Sequence, residues 1–305
     1  MSSSNNDIKS SFTFTGKAKD YVQLIKPSLS IMVVFSSVIC YLLAPKVVEY
    51  DWKMITLLFI GGLLVTGSAN AINQVVEKDT DAIMKRTGNR PVAAGRIGVN
   101  EGWTFAIVTG IAGTFILGYF FNWLSAGMAA FSLFLYAFIY TPLKKVHAVA
   151  VFVGAFPGAL PCLIGWAAGN DSITGHEWVD YGGLVLFALQ FIWQFPHFWA
   201  IAWLAHHDYA RAGFKLLPSE QGPTRYTAIQ TIIWSLLLIP IGVLPYFIEL
   251  SGIISLGIVL LANGFMVWRC VQLYRTMTVA AARRVMFGSY IYLPVVLLAL
   301  LADKV

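Results

Sequence analysis

The chain has 305 residues, of which 58% are hydrophobic and 12% charged, against roughly 25% charged in an average soluble domain. Its apolar residues gather in repeated runs of about 17–25, the length that crosses a bilayer, which excludes a soluble enzyme, a disordered adaptor and a secreted disulfide scaffold. The net charge of +6 comes without the aromatic-basic interleaving or zinc-finger spacing of a nucleic-acid binder.

Residues 1–27 form a polar leader, MSSSNNDIKSSFTFTGKAKD followed by YVQLIKP. The first apolar run lies too far inside the chain, and lacks a small-residue cleavage site, so it reads as a retained helix and not a removed signal peptide. Nine spans are predicted, over about 28–44, 52–72, 102–120, 123–141, 148–169, 182–204, 227–247, 250–268 and 285–302, each long enough for a hydrocarbon core about 30 Å thick. The expected fold is therefore all-α, a polytopic membrane protein whose residues 28–305 form one embedded domain. Cys40, Cys162 and Cys270 lie in or beside these runs and predict neither disulfides nor a clustered metal site.

Basic residues give the spans a direction. Of the 21 Lys and Arg, 18 fall before span one or in every second loop after it, leaving Lys46, Lys53 and Lys304 opposite. The rich side is expected to be cytoplasmic, with the N-terminus inside and the C-terminus outside. Asp171, Glu177, Asp180 and Glu249 on the poor side read as solvated loop charges.

The densest polar stretch, NQVVEKDTDAIMKRTGNRPVAAGR, follows span two. Asn73, Glu77 and Asp81 recur every four residues, which on a continuing helix stacks one amide and two carboxylates on a single face. Asp79 falls out of phase. Carboxylates so close repel unless a cation joins them, and oxygen donors of this kind suit Mg²⁺ bound together with substrate phosphates. Lys85, Arg86 and Arg90 follow as candidate phosphate contacts. The same run also reads as a solvated helix end laced with ion pairs.

A second cluster closes span six, where HHDYARAGFK offers Asp208 as a ligand candidate and Arg211 and Lys215 as phosphate contacts. His206 and His207 either assist or mark the interface. His197, after Pro196 within the apolar run FIWQFPHFWAIAW, is an ionisable group inside a span and a site candidate by position. Its alternative is satisfaction by freed backbone or a neighbouring helix. Trp193, Trp199 and Trp203 recur around it as pocket lining or packing. Between spans four and five, YTPLKKVH supplies Tyr140, Lys144, Lys145 and His147. Pro157 and Pro161 in the next span predict a kinked helix beside a cavity.

Taken in order, NQVVEKDTD, MKRTGNRPVAAGR, YTPLKK, GALPCLIGW, FPHFWAIAW and HDYARAGFKLLP resemble the haem-farnesylating branch of the UbiA superfamily of intramembrane prenyltransferases, over nearly the whole chain. The resemblance implies nine helices around a lipid-accessible central cavity in the bacterial inner membrane, with prenyl diphosphate and Mg²⁺ at its cytoplasmic mouth. It implies transfer of farnesyl from farnesyl diphosphate to the 2-vinyl group of haem b, with water added, giving haem O. Asn73, Glu77, Asp79, Asp81 and Asp208 would then hold metal or its waters. Lys85, Arg86, Arg90, Lys144, Lys145, Arg211 and Lys215 would form the diphosphate shell, with Tyr140, His147 and His197 toward the acceptor. The expected partners are a haem-supplying synthase and a later haem-modifying enzyme. Ala150, Cys162 and His207 depart from the pattern, where Asn, a second Pro and an acid are frequent. Prenylation of a quinone precursor or a chlorin, and multi-span transport, are the competing readings.

Overall fold

The computed structural model describes residues 14–305; Lys9 lies outside them. The described residues are almost wholly helical. α1 (Phe14–Ile25) meets α2 (Pro27–Leu43) at Lys26, whose left-handed backbone (φ 50°) and following proline break the helix. Then come α3 (Trp52–Val76), α4 (Lys78–Ile83), α5 (Val99–Phe120) and α6 (Trp123–Phe134), which runs through a π-helical turn, Leu135–Tyr140, into α7 (Thr141–Leu143). The rest are α8 (Ala150–Asn170), α9 (Gly182–Leu204), α10 (His206–Arg211), α11 (Arg225–Phe247), α12 (Ile253–Thr276) and α13 (Val279–Ala302).

Eight of these helical stretches are long and apolar enough to span a membrane, and α1 with α2, bent by 47°, makes a ninth if counted as one span. The observed helices coincide with the expected spans to within a few residues, except that α12 and α13 extend six to eight residues further toward the 276–279 turn. Their extra turns carry Arg269, Arg275, Arg283 and Arg284, whose charge hides helix from a hydropathy reading although the backbone continues. The part of the polar leader that is described, α1, is helical and packs on α3.

α8 and α9 form the centre of the bundle and are its most buried spans. α8 crosses α2 so closely that a Cβ on Gly165 would lie 1.8 Å from the Ser37 carbonyl oxygen; only glycine permits the approach. Pro161 in α8 cannot donate to the Pro157 carbonyl, and Ser132 Oγ of α6 donates to it instead, at 3.2 Å. Gln190 and Gln194 of α9 donate to the Gly158 and Ala155 carbonyls of α8 at 2.7 and 3.0 Å. Helix–helix hydrogen bonds thus satisfy backbone that water cannot reach.

Gly165→Val is expected to force α2 and α8 apart and lower stability by about 1–3 kcal/mol. Gly127→Ala, where a Cβ meets nothing within 4 Å, should stay within about 0.5 kcal/mol of the parent. Thermal unfolding of the purified proteins in one detergent compares the two.

Candidate functional site

Asn73, Glu77 and Asp81 lie on one face, as their spacing predicts. The helix breaks at Glu77 (φ −97°, ψ 14°), yet Glu77 N donates to Asn73 O at 3.0 Å and Asp81 N to Glu77 O at 2.7 Å. The four-residue register therefore passes through the break. All three side chains are buried, Asp81 completely. Asp79, out of phase, is exposed.

Each buried carboxylate holds a base. Lys144 Nζ stands 2.6 Å from Glu77 Oε1 and donates to Asn73 Oδ1 at 3.0 Å, while Asn73 Nδ2 donates to Glu77 Oε2 at 2.8 Å. Arg90 Nη1 contacts both Asp81 oxygens, at 2.8 and 2.6 Å. Lys145 Nζ donates to Thr80 Oγ1 at 2.7 Å. Burial pulls the Lys144 ammonium below the ordinary lysine range, an effect that Glu77 partly offsets. Glu77 Oε1 is buried and, despite its ion pair, lacks a hydrogen bond of good geometry.

One amide and two carboxylates form an all-oxygen set of the kind that suits a hard cation such as Mg²⁺, with Lys144 and Arg90 holding the carboxylate oxygens. Among the described residues, no three His, Cys, Asp or Glu side chains gather as a metal group. The set accordingly fits an ion that takes its remaining ligands from substrate phosphates and water.

Asp208 is half-buried, and among the described residues its carboxylate makes neither hydrogen bond nor salt bridge, while its backbone carbonyl accepts from Ala212 N at 3.1 Å. The two acidic motifs instead meet through their flanks. Arg86 Nη2 donates to the Tyr209 hydroxyl at 3.1 Å with its guanidinium over the ring, and Met84, Ala212 and Phe214 pack as one small core. Lys215 N donates to the Lys144 carbonyl at 2.8 Å, pinning the second motif to YTPLKK, although the Lys215 side chain is exposed. Lys85 and Arg211 are likewise exposed. His147 is exposed, accepts from Val149 N at 3.0 Å and is absent from the cavity wall.

Beneath this cluster lies a cavity of about 600 Å³, within the range of ligand pockets, about 300–1,000 Å³. Its wall includes Tyr136, Tyr140, Trp193 and His197 together with Pro157 and Pro161 of α8. The π turn brings Tyr136 and Tyr140 to the rim, a common use of such turns. Lys144 Nζ sits 4.8 Å from the Tyr140 ring centre, so Tyr140 joins the charged cluster to the apolar space below. Trp193 faces the cavity, whereas Trp199 and Trp203 are buried packing residues.

Sequence reasoning missed Tyr136, Tyr209 and Lys26. Tyr136 and Tyr209 adjoin motifs already singled out, four residues before Tyr140 and one after Asp208. Lys26 counted only as a topology signal, yet the charges around its ammonium include Arg90, Lys144, Asp81 and Glu77.

A buried acid pair under a basic rim, opening onto an apolar cavity within a membrane bundle, is the layout of an enzyme that handles an amphiphilic anion. The profile of the UbiA prenyltransferase family matches residues 33–293, and the chain belongs to that family, which makes it an intramembrane prenyltransferase and not a transporter. It is similar to the protoheme IX farnesyltransferase of Cytophaga hutchinsonii, with 44% identity over 285 residues, covering 93% of this chain and 97% of that protein. The Flavobacterium johnsoniae protein of the same name is 39% identical, over 98% and 99% of the two chains. Among solved structures, digeranylgeranylglyceryl phosphate synthase superposes with a TM-score of 0.77 at 21% identity, covering 94% of this chain and 98% of that one. A UbiA homolog from Archaeoglobus fulgidus, solved with GPP and Mg²⁺, gives 0.63 at 13% identity over 92% and 99%.

Lys144→Met leaves Glu77 as an uncompensated buried charge and is expected to cost about 3–5 kcal/mol. Adding Glu77→Gln should recover most of that loss. A double-mutant cycle of thermal unfolding in detergent measures both.

Proposed function

We propose that the chain transfers a farnesyl group from farnesyl diphosphate to the 2-vinyl group of haem b, with addition of water, yielding haem O and diphosphate. What carries this reading is similarity along the full length to protoheme IX farnesyltransferases, and the layout of the site supports it. A buried acidic face under Lys144 and Arg90 suits a diphosphate head with its cation. The cavity entered past Tyr140 suits a prenyl chain and a flat apolar macrocycle.

Asn73, Glu77 and Asp81 would hold Mg²⁺, with Asp208 approaching from α10. Bound there with diphosphate, Mg²⁺ supplies charge neutralisation to the leaving group. Lys144 and Arg90 hold the acid pair, and they are the donors nearest it for phosphate oxygens. Arg86 and Lys145 stand around them, and Lys85, Arg211 and Lys215 extend the positive surface. These donors favour the negative charge that develops as the allylic carbon–oxygen bond breaks. The rings of Tyr136 and Tyr140 present π faces to the resulting allylic cation, and the apolar wall keeps water from quenching it early. The cation's terminal carbon bonds the outer vinyl carbon; water adds to the inner one and gives up a proton.

The basic end of the bundle faces the cytoplasm of a bacterial inner membrane in this reading, so the diphosphate enters and leaves on that side. The chemistry requires an enzyme that supplies haem b and one that consumes haem O.

Purified protein supplied with haem b, farnesyl diphosphate and Mg²⁺ should form a product heavier than haem by one farnesyl group and one hydroxyl group. Chelation should abolish it, and Asp81→Asn should reduce turnover at least about 100-fold while thermal unfolding reports an intact fold. Product from a quinone precursor or a chlorin but not from haem b would move the acceptor assignment.

A further inference from the structure

His197 is held by a chain of contacts that the reaction as described does not use. Its Nδ1 lies 2.8 Å from Ser289 Oγ of α13. Ser289 Oγ in turn donates to the Met286 carbonyl at 2.6 Å. A serine hydroxyl has one proton, and here it is spent on Met286, so Ser289 must accept from His197. This fixes the imidazole as the Nδ1–H tautomer, with a bare lone pair on Nε2.

The ring cannot readily turn. Trp193 stacks on it with centroids 4.7 Å apart and planes 18° apart, while its own Nε1 donates to the Ser289 carbonyl at 3.0 Å. Tyr290 abuts it at 65°, with centroids 5.1 Å apart. Ser289 is fully buried. Nε2 has no hydrogen-bond partner among the described residues and is not among the sealed polar atoms; the His197 side chain lines the cavity.

Among the described residues no carboxylate is bonded to this imidazole, which sets it apart from a general-base arrangement in which an acid orients and charges the ring. A neutral imidazole with one nitrogen tied to an oxygen and the other open to an apolar cavity is instead the arrangement of a ligand for a borderline metal such as iron. His197 lies seven residues from the end of α9, about 10 Å into the bundle, on the wall shared with the Tyr140 rim.

We propose that His197 Nε2 is an axial ligand of the haem iron, and that Ser289 is the positioning residue that fixes its tautomer and direction. The proposal rests on haem b being the acceptor. Coordination by His197 would hold the macrocycle below the diphosphate site with a vinyl group free to meet the allylic carbon.

The test is a titration of the full-length protein in detergent with ferric haem b, without farnesyl diphosphate, then reduction, followed by optical and resonance Raman spectra. The parent should show an imidazole-ligated spectrum. His197→Ala should lose it and regain it on adding free imidazole. Ser289→Ala should keep haem bound but weaken it about tenfold or more and shift the iron–histidine stretch, while Ser289→Thr should restore both. Haem bound by His197→Ala with an unchanged spectrum would overturn the ligation and leave the acceptor assignment intact. Unaltered affinity and stretch in Ser289→Ala would overturn the positioning role. Folded parent protein that binds no haem would overturn the acceptor assignment and this proposal together.

Discussion

Glu77 and Asp81 are carboxylates inside an apolar helical bundle, and the basic end of the molecule is organised around that fact. Removing an ion from water costs several kcal/mol even after relaxation, and only a well-placed partner offsets it. Arg90 reaches Asp81 from a nearby loop, but Lys144 comes from a segment 71 residues beyond Asn73. Its arrival depends on the π turn that ends α6 and on the Lys144 carbonyl being gripped by Lys215. The loop carrying Arg90 is fixed in turn by Arg96, which bonds Asp20 and Gln23 of α1 at 2.7 and 2.9 Å. Buried ion pairs of this sort contribute little net stability compared with apolar packing. Their retention here is therefore an argument about what the site must bind, and a diphosphate with its cation is a ligand that both charged partners can address.

The cavity follows from a different constraint. α8 carries two prolines and a glycine at each close approach, so its backbone must find hydrogen bonds outside itself. Ser132 meets the Pro157 carbonyl that Pro161 leaves free, Gln190 and Gln194 add bonds to the Gly158 and Ala155 carbonyls, and a Cβ on Gly158 would meet Gln194 Oε1 at 2.0 Å. Because these amides are spent on α8, the wall they belong to stays largely apolar although the sequence around it is not. The prolines of α8 and the glutamines bonded to it thus share one wall of the cavity.

The spans could be read because length and hydropathy are local properties, and the acidic face because a four-residue period survives the break at Glu77. What could not be read depends on contacts distant in sequence. Nothing in HHDYAR says that Tyr209, more than Asp208, meets the first motif through Arg86, 123 residues away. Nothing in FPHFW says that His197 bonds Ser289, 92 residues away. His147, which follows a basic pair and was expected toward the acceptor, is instead satisfied locally by a turn at the surface. Lys26 was visible only as charge, since its approach to the acids requires the α1–α2 bend.

The two ends of the bundle show what charge is for in this chain. At the end poor in bases, Lys304 donates to the Leu42, Ala44 and Val47 carbonyls, each at 2.9 Å, and so closes the C-terminus over the end of α2. Among the described residues, the ammonium of that lysine meets only backbone and completes a helix end. At the opposite end, Lys144 and Arg90 meet ionised side chains that the fold has no structural need to bury. A bundle of this size could have ended both faces as it ends the first, so the second face reflects its substrate, and the cavity under it explains why the acids had to be drawn inward from the surface.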